Sequence, residues 1–295
     1  MDLDMRKVRY FVALAEELNY RAAAERLHLA QPVLSRQIQS LERELGVRLF
    51  LRDSTGTRLT PAGEQLLKDA VPLLTDARGL QRRVAAAAQS TRSLTVGFMP
   101  GLTITFATRA LSKAHPDVSV EVLRTDWTDQ VTVLHDGRAD VGFVRMPIDL
   151  TGLSTLSVWH EPHVAVVAAA HPVAGRDTVG IAELAADDLL QDPDTVPEWK
   201  AVRVDAEYRA PSPPARSVEE KLEWVASGRG FSVLPQSVAD YYRRSDIAAV
   251  ALNDVAFNEV RLAWLRDRRS PVLDSFVDVV RQHLPLEESE ARFSA

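Results

Sequence analysis

Residues 27–50, LHLAQPVLSRQIQSLERELGVRLF, contain the amphipathic helix that most constrains how this chain can fold. Pro32 suits the first turn of a helix and Gly46 suits its end, so the helix is predicted to run from about Pro32 to Leu45. Four apolar side chains recur along it at steps of four, three and four residues: Leu34, Ile38, Leu41 and Leu45. Such a stripe needs a hydrophobic partner, and it leaves the opposite face of the helix free.

The free face carries hydrogen-bonding side chains near its N-terminal end and no carboxylate. Its members are Gln31, Pro32, Ser35, Arg36 and Gln39. A helix that enters the major groove by its N-terminal end brings such residues to base edges, where Gln pairs with adenine and Arg with guanine. The helix dipole also favours nearby phosphates. This pattern predicts a DNA-reading helix, and an ordinary surface helix is the alternative for the amphipathic pattern alone.

The flanking segments favour the DNA-reading interpretation. Apolar residues at helical spacing predict a first helix within residues 5–18, and Asn19 is a suitable N-cap for a short second helix. A turn at 28–30 would join the second helix to the DNA-reading one, which is the helix-turn-helix arrangement. Residues 47–52 and 57–59 are predicted strands of a wing that carries Arg48, Arg52 and Arg58.

Charge is divided unevenly along the chain, although the formal net charge of the whole protein is −6. Residues 1–92 hold 15 Lys and Arg against 11 Asp and Glu, a net charge of +4. The remainder holds 20 against 30, a net charge of −10. A mildly basic N-terminal module can bind phosphates while the acidic remainder faces elsewhere, so the acidic total does not exclude a nucleic-acid partner.

A long helix is predicted after the wing, because Thr60 is a suitable cap and Pro61 follows it. Its apolar residues alternate at steps of four and three: Leu66, Ala70, Leu73, Ala77, Leu80, Val84 and Ala87. This alternation is typical of a coiled-coil seam, so two copies of the chain are predicted to pair here. The residues expected to make the dimer contact are Leu66, Leu73, Leu80 and Val84. A surface helix packed on its own domain is the alternative, and Pro72 predicts a kink.

Three motifs carry a resemblance to a known family: AAxxLHxxQPxLSRQI at 23–38, LGxxLFxR at 45–52 and LTPAG at 59–63. Together they make the N-terminal 65 residues closely similar to the LysR-type transcriptional regulators. The resemblance implies that Gln31, Pro32, Ser35 and Arg36 touch DNA, and that Arg52 and the wing lie at the backbone or minor groove.

Two positions depart from the habit of that family. Arg21 stands where a small hydroxyl residue usually begins the second helix, and Thr55 stands where the wing usually bears a basic residue. Arg21 and Arg58 are therefore candidates for phosphate contacts of this chain's own.

A second domain is predicted from about residue 93, because strand and helix signals alternate after a small polar link. Strands are predicted at 94–98, 118–123 and 141–145, with helices at 103–114 and 127–136 between them. This βαβαβ order indicates a parallel sheet. Further strands are predicted at 163–168, 231–234 and 260–264, and further helices at 218–227 and 272–284.

These elements predict two α/β lobes, about 94–160 with 265–284 and about 161–264, between which the chain crosses twice. Ligands of open α/β sheets bind beyond the carboxyl ends of the strands, so a cleft between the lobes is the expected site. The motifs DGRxDVGF at 136–143 and GxGFxVLP at 228–235 resemble the periplasmic-binding-protein-like effector domain of the same family.

The candidate effector-binding residues of this cleft are Gly101, Leu102, Thr103, Trp127, Thr128, Arg145 and Pro193. Thr103 and Arg145 could hold an anion through a hydroxyl, backbone N–H groups and a positive charge. The alternative is that Thr103 only caps a helix and Arg145 pairs with a surface carboxylate. Trp127 could stack on a ligand ring or serve in packing.

Enzyme and metal-site signals are weak. Without Cys, the sequence excludes disulfides, a thiol sensor and a cysteine metal site, and it has neither Gly-x-Ser-x-Gly nor a phosphate-binding glycine-rich loop. His160 and His163 suggest a metal pair, but on an extended segment their side chains point to opposite faces, and Glu161 does not complete a site. We expect no catalytic residue, metal or cofactor. Neither a signal peptide nor a membrane span is predicted, so a cytoplasmic protein is expected.

The predicted fold is a winged helix-turn-helix domain at 1–60, a linker helix at 61–92 and a two-lobed α/β effector domain at 93–295. We expect a transcriptional regulator whose binding to double-stranded promoter DNA is modulated by a small-molecule effector, with organic acids as one candidate class. The resemblance implies a homotetramer of two dimers, with RNA polymerase as a partner if the protein is an activator. The alternatives are an architectural DNA-binding protein without ligand sensing, and a solute-binding module or enzyme. A ligand that stabilises the C-terminal half would exclude the architectural alternative.

Overall fold

A computed structural model of the chain describes residues 3–53, 56–87, 92–203, 215, 217–268 and 270–284. The chain divides into two compact units. The first comprises Met1–Ala88 with His135–Gly137, and the second comprises Gln89–Leu134 with Arg138–Ala295. The observed elements confirm the predicted fold class, a helical winged unit followed by a two-lobed α/β unit.

The first unit is built from helices and an antiparallel wing. In chain order its elements are helices α1 (Met5–Glu17), α2 (Tyr20–Arg26) and α3 (Gln31–Leu45), strands β1 (Phe50–Asp53) and β2 (Gly56–Leu59), and helix α4 (Pro61–Ala87). The predicted N-cap of α2 is confirmed, because the side chain of Asn19 accepts hydrogen bonds from the backbone N–H groups of Arg21 and Ala22.

The hydrophobic core of the first unit lies where its helices and the wing meet. The apolar stripe of α3 is buried there, with Leu34, Ile38 and Leu41 at most 1% exposed. Burying a side chain of this size stabilises a fold by about 1.5–3 kcal/mol, so the stripe fixes which face of α3 stays outside. The Phe11 and Phe50 rings, 5.4 Å apart, join α1 to the wing.

The start of α4 is fixed by a close approach between backbones. The Thr60 hydroxyl donates to the carbonyl oxygen of Arg48 at 2.7 Å and accepts from the N–H of Gly63 at 3.0 Å. A Cβ at Gly63 would lie 2.2 Å from the carbonyl oxygen of Leu49, so this position requires glycine. The helix then continues through Pro72 to Ala87.

The first lobe of the second unit is a sheet with helices. Its strands are β3 (Arg92–Phe98), β4 (Val118–Arg124), β5 (Val141–Arg145), β6 (Leu153–Glu161) and β11 (Asn258–Leu265), numbered along the chain. Its helices are α5 (Thr105–Ala114), α6 (Thr132–His135) and α10 (Pro271–Gln282). Helix α5 begins two residues later than predicted, and α6 is one turn where 127–136 had been predicted to be helical, because 127–131 forms a turn.

In the described part of the chain this sheet has five strands in the order β4-β3-β5-β11-β6. Strand β3 pairs in parallel with β4 and β5, which confirms the predicted βαβαβ unit. Strand β11 pairs antiparallel with β5 and β6. The return crossing therefore precedes Asn258, whereas the predicted lobe boundary had placed residues up to 264 in the second lobe. Strand β6 had not been predicted.

The second lobe is built around a smaller sheet. Its strands are β7 (His163–Ala168), β8 (Thr178–Val179), β9 (Ser232–Pro235) and β10 (Ile247–Leu252), in the sheet order β8-β10-β7-β9. Its α-helices are α7 (Pro197–Val202), α8 (Val218–Ala226) and α9 (Gln236–Tyr241), and 3₁₀ turns span Ile181–Leu184 and Pro193–Thr195. Ser217 caps α8 as predicted, because its side chain accepts from the N–H of Glu220.

Candidate functional site

The outward face of α3 presents the residues that the sequence assigns to DNA contact. Gln31, Pro32, Arg36 and Gln39 are exposed, and Ser35 is half-buried beside them. Since the buried stripe occupies the opposite side, these side chains share the solvent face at the N-terminal half of the helix. The geometry suits the docking of a recognition helix in a major groove.

The carboxylates of α3 lie in its C-terminal half and are engaged elsewhere. Glu42 accepts hydrogen bonds from the backbone N–H groups of Leu49 at 2.8 Å and Phe50 at 3.2 Å, which anchors the wing. Glu44 forms an ion pair with Lys7, and this ammonium lowers the pKa of the Glu44 carboxyl. The N-terminal half of the face therefore has no negative charge of its own to repel a phosphate.

The basic candidates beside α3 differ in their surroundings. Arg58 is exposed on β2, while the side chain of Arg52 lies outside the described residues. The Nε of Arg21 donates to the Oε1 of Glu25 at 3.0 Å, and both side chains are largely exposed. Such a surface pair contributes little to stability, so it does not prevent Arg21 from reaching a phosphate.

Helix α4 buries only some of its apolar side chains in the core of the first unit. Ala70 and Leu74 are buried in the core of the first unit, and Leu66 packs against that core. Leu73, Leu80 and Val84, in contrast, are 42%, 58% and 63% exposed. Of the residues predicted for dimer contact, these three form an apolar row without cover in the single chain, as a pairing surface requires.

The second unit holds a buried polar cluster where its lobes meet. Its centre is Arg145, at the end of β5, which is 1% exposed. Its guanidinium donates to the Glu161 carboxylate, to the Asn258 Oδ1 at 2.8 Å, to the Pro100 carbonyl oxygen at 3.3 Å and to the Ser237 Oγ at 2.8 Å. Glu161 and Asn258 lie at the two chain crossings, and Ser237 lies in the second lobe. Arg145 therefore ties both crossings to α9.

The hydrogen bonds of this cluster leave few guanidinium donors of Arg145 for a ligand. Burial lowers the pKa of the Arg145 guanidinium, and the nearby Glu161 carboxylate offsets only part of this shift. Glu161 also accepts from the N–H of Ser237 at 2.8 Å. Among the N–H groups of Arg145, only Nε is buried without a hydrogen-bond partner in the described part of the structure. The geometry thus assigns Arg145 to positioning the lobes, whereas the sequence had suggested a direct contact with an anion.

A glycine lets the two lobes come together beside Arg145. Gly101 has φ +80°, and a Cβ there would lie 2.7 Å from the backbone of Val238. The neighbouring Leu102 is buried in the first lobe and Thr103 is exposed. Helix α5 begins at Thr105 after Ile104, which makes no side-chain cap, so the predicted helix start at Thr103 is wrong.

A second pair of contacts joins the lobes near α8. The Lys221 ammonium lies 5.8 Å from the ring centroid of Trp127, which is in the turn after β4 and 41% exposed. Beside it, Arg124 donates to the Tyr242 hydroxyl at 3.2 Å, and this hydroxyl donates to Glu219 at 2.9 Å. Burial lowers the pKa of Lys221 to about 8.

The remaining predicted cleft residues are less closely placed. Thr128 is exposed, and its hydroxyl donates to Asp126 at 2.6 Å within the turn. Pro193 begins a 3₁₀ turn in the second lobe and is half-buried. The structure therefore brings Gly101 and Arg145 into one cluster and Trp127 against Lys221.

Sequence reasoning missed Glu161, Ser237, Asn258 and Lys221 as residues of this region. The sequence suggested Glu161 only as a metal ligand, and its position directly before Pro162 and the predicted strand 163–168 was the available signal. Lys221 lies on a helix with three glutamates, where it looked like an ordinary surface charge. No pattern along the chain connects it to Trp127.

Other chemistry is not apparent in the described residues. They contain no group of three or more His, Cys, Asp or Glu side chains arranged to hold a metal ion. His163 Nδ1 lies 2.7 Å from the carbonyl oxygen of Ala256, and burial lowers the pKa of its imidazole. None of the helices in this part of the chain combines the length and hydropathy that crossing a bilayer requires.

Two family models match the chain. Residues 5–64 match the family model "Bacterial regulatory helix-turn-helix protein, lysR family", and residues 87–285 match "LysR substrate binding domain".

Curated relatives match over nearly their whole length. The Hca operon transcriptional activator HcaR of Escherichia coli (strain K12) is 29% identical, covering 96% of this chain and 98% of HcaR. The HTH-type transcriptional regulator TfdS of Cupriavidus pinatubonensis (strain JMP 134 / LMG 1197) is 31% identical, covering 95% of this chain and 98% of TfdS.

Solved structures are similar as well. The crystal structure of CbnR, a LysR family transcriptional regulator, has a TM-score of 0.58 and 27% sequence identity, covering 96% of this chain and 99% of that one. Full-length CbnR complexed with its target DNA has a TM-score of 0.51 and 29% identity, covering 95% and 99%.

Proposed function

The chain belongs to the LysR family of transcriptional regulators, and from this premise we propose which of its residues read DNA and which respond to a small molecule. It is a DNA-binding transcriptional regulator with an effector-binding domain. The observation that supports the assignment of the DNA-reading residues is the outward face of α3, which is exposed, polar and free of carboxylates in its N-terminal half.

We assign base contacts to Gln31, Ser35, Arg36 and Gln39, with Pro32 against the groove at the start of the helix. Arg36 is the residue suited to bidentate pairing with guanine, and the two glutamines suit adenine. Arg21, Arg52 and Arg58 would contact phosphates from α2 and the wing, which positions the helix without reading sequence.

The exposed apolar row of α4 supports pairing of two copies of the chain. Leu73, Leu80 and Val84 would pack against their counterparts, with Leu66 at the edge where α4 leaves its own core. Two dimers would then assemble into a tetramer. A Leu80→Glu variant tests this surface. The variant should keep nearly the stability of the unaltered chain, while sedimentation should show loss of the dimer.

The second unit would bind its effector between the lobes, and the ligand would change promoter binding only if it binds one lobe arrangement more tightly than another. Trp127, Thr128 and the segment after β3 (Gly101, Leu102 and Thr103) are the proposed contacts of the first lobe, and Pro193 is that of the second. A small organic acid is the proposed class of effector. The proposal assigns no catalytic residue, places the protein in the cytoplasm and includes RNA polymerase as a partner of an activator.

A gel-shift series with the protein's own promoter tests the DNA-reading face. Arg36→Ala should weaken specific binding by about 1–3 kcal/mol, because the guanidinium would pair with a base edge. Arg43→Ala is the matched control, since Arg43 lies on the same helix near its C-terminal end and is also exposed. Equal affinities of the Arg36 variant and the unaltered protein would exclude the assignment.

The alternative without ligand sensing is tested on the same protein. Thermal unfolding of the full chain against a panel of small organic acids and aromatic compounds should show a saturable rise in Tm for one class. A panel without any shift would favour the architectural function.

A further inference from the structure

Within the described residues, Lys221 has no acidic partner where the two lobes of the second unit meet. Lys221 is half-buried, and its ammonium faces the indole of Trp127 across the lobes at 5.8 Å from the ring centroid. No carboxylate of the described residues lies within ion-pair distance of it, and Glu219 on the same helix is engaged with Tyr242 and Arg124. Burial without a compensating anion is why the pKa of Lys221 falls to about 8.

Two further cations of the described residues reach across the lobes, and both are occupied. Arg145 donates to four oxygen acceptors, among them the Glu161 carboxylate. Arg124 donates to the Tyr242 hydroxyl and lies 3.6 Å from Glu219. Of these three, Lys221 is the one whose charged group is paired with an aromatic ring and with no oxygen acceptor of the described residues, so an incoming anion would meet the least competition there.

We propose that Lys221 and Trp127 together recognise an aromatic carboxylate, with the ammonium binding the carboxylate and the indole stacking on the ring. This inference rests on the proposed function, because it names the class of effector that the second unit would bind. A carboxylate forms a stronger, charge-assisted interaction with an ammonium than a neutral ring does. Trp127 is 41% exposed and can therefore offer its ring to the flat part of the same molecule.

The composition of the pair also limits the charge of the ligand. A single ammonium supplies one positive charge without the planar fork of an arginine, so it balances a ligand group with one negative charge, such as a carboxylate, better than a doubly charged phosphate. The indole next to it favours an apolar, planar body over a sugar or a dicarboxylic chain. The geometry thus points to a monocarboxylate attached directly or by one carbon to a ring.

Isothermal titration calorimetry of the full-length protein tests this pair with three probes: phenylacetate, indole-3-acetate and 2-naphthoate. We expect saturable binding of at least one acid, with the corresponding neutral amide at least tenfold weaker. Lys221→Met and Lys221→Gln should each weaken binding of that acid at least tenfold, while Lys221→Arg retains most of it. Trp127→Ala should remove the preference for phenylacetate over cyclohexylacetate.

Lys200→Met is the matched control, because Lys200 is an exposed lysine of the same lobe that pairs with Asp194 at 2.5 Å. It should bind the acids as the unaltered protein does. Each variant is first checked by thermal unfolding, and the use of two neutral substitutions at Lys221 guards against one that misfolds.

The inference is wrong if none of the three acids binds saturably, or if both neutral Lys221 variants bind them with unchanged affinity. The response of Tm and of promoter binding to other compounds separates failure of this inference from failure of the proposed function. If another class of compound raises Tm and changes promoter binding, the effector domain works and only the assignment to aromatic acids fails. If no compound of the panel does either, the architectural function without ligand sensing is favoured.

Discussion

The outward face of α3, which we propose reads DNA, and the meeting point of the lobes are built in opposite ways. The face consists of neighbours along one helix, whose core stripe is separate from the residues assigned to the ligand DNA. At the lobes, Arg145 meets partners from four distant segments: Pro100, Glu161, Ser237 and Asn258. Residues on the outward face of α3 can therefore change with little effect on the fold, whereas polar residues between the lobes also hold the second unit together.

The largest effect should come from removing the charge at the centre of the lobes. Arg145→Met leaves the Glu161 carboxylate buried without its cation, and breaking a buried pair in this way costs about 3–5 kcal/mol. Urea unfolding of the full chain should show this loss in the transition of the second unit, while specific DNA contacts of α3 need not change.

The double variant Arg145→Met/Glu161→Gln separates the contribution of the ion pair to stability from the contributions of the other contacts of the two residues. With the carboxylate neutralised, the loss should be smaller than in Arg145→Met alone by about 1 kcal/mol or more. A double variant as unstable as the sum of the two single ones would show that the ion pair itself contributes nothing.

The next effect is steric and concerns how closely the lobes approach. Gly101→Ala places a methyl group 2.7 Å from the Val238 backbone in a left-handed conformation. Gly228→Ala is the matched control, because Gly228 has φ +73° and nothing within 4 Å of the added carbon. The control should lose about 1–2 kcal/mol from backbone strain alone, and Gly101→Ala should lose about 2 kcal/mol more. Equal losses in urea unfolding would show that the lobes adjust without cost.

Local sequence patterns predicted the first unit well because its structure is local. The buried side of α3 is predicted by the spacing of Leu34, Ile38 and Leu41, and the start of α2 is predicted by the side-chain chemistry of Asn19. The parallel order of β3, β4 and β5 followed similarly from alternating strand and helix signals.

Local sequence patterns do not predict the contacts of the second unit between segments that are distant along the chain. Strand β11 lies between β5 and β6, a pairing over more than a hundred residues that spacing does not indicate, and this is why the lobe boundary was misplaced. Arg145 looked like a ligand contact because its partners Glu161 and Asn258 come from distant strands. Lys221 was missed for the same reason, since its surroundings include a tryptophan of the other lobe.

A smaller effect should appear as a pH dependence of stability. The pKa of Lys221 is about 8 in the folded chain, below its ordinary value of 10.5, so the unfolded chain holds more protons between these values. Stability contributed by this site is therefore lowest below pH 8 and rises as the pH increases toward 10.5. The free energy of unfolding of the unaltered protein relative to Lys221→Met should increase by about 2–3 kcal/mol from pH 7.5 to 10.5. A constant difference would mean that Lys221 is not dehydrated.

The smallest change in stability is expected where the DNA-binding unit departs from its family, at Arg21. Because Arg21 and Glu25 are both largely exposed, Arg21→Ala should alter the free energy of unfolding by less than about 0.5 kcal/mol. If Arg21 contacts a phosphate, the same variant should weaken binding to all DNA sequences alike and reduce the salt dependence of log Kd by about one. Arg36→Ala, by comparison, should relax the preference for one base pair. An Arg21 variant with unchanged salt dependence would restrict the proposed phosphate contacts to the wing.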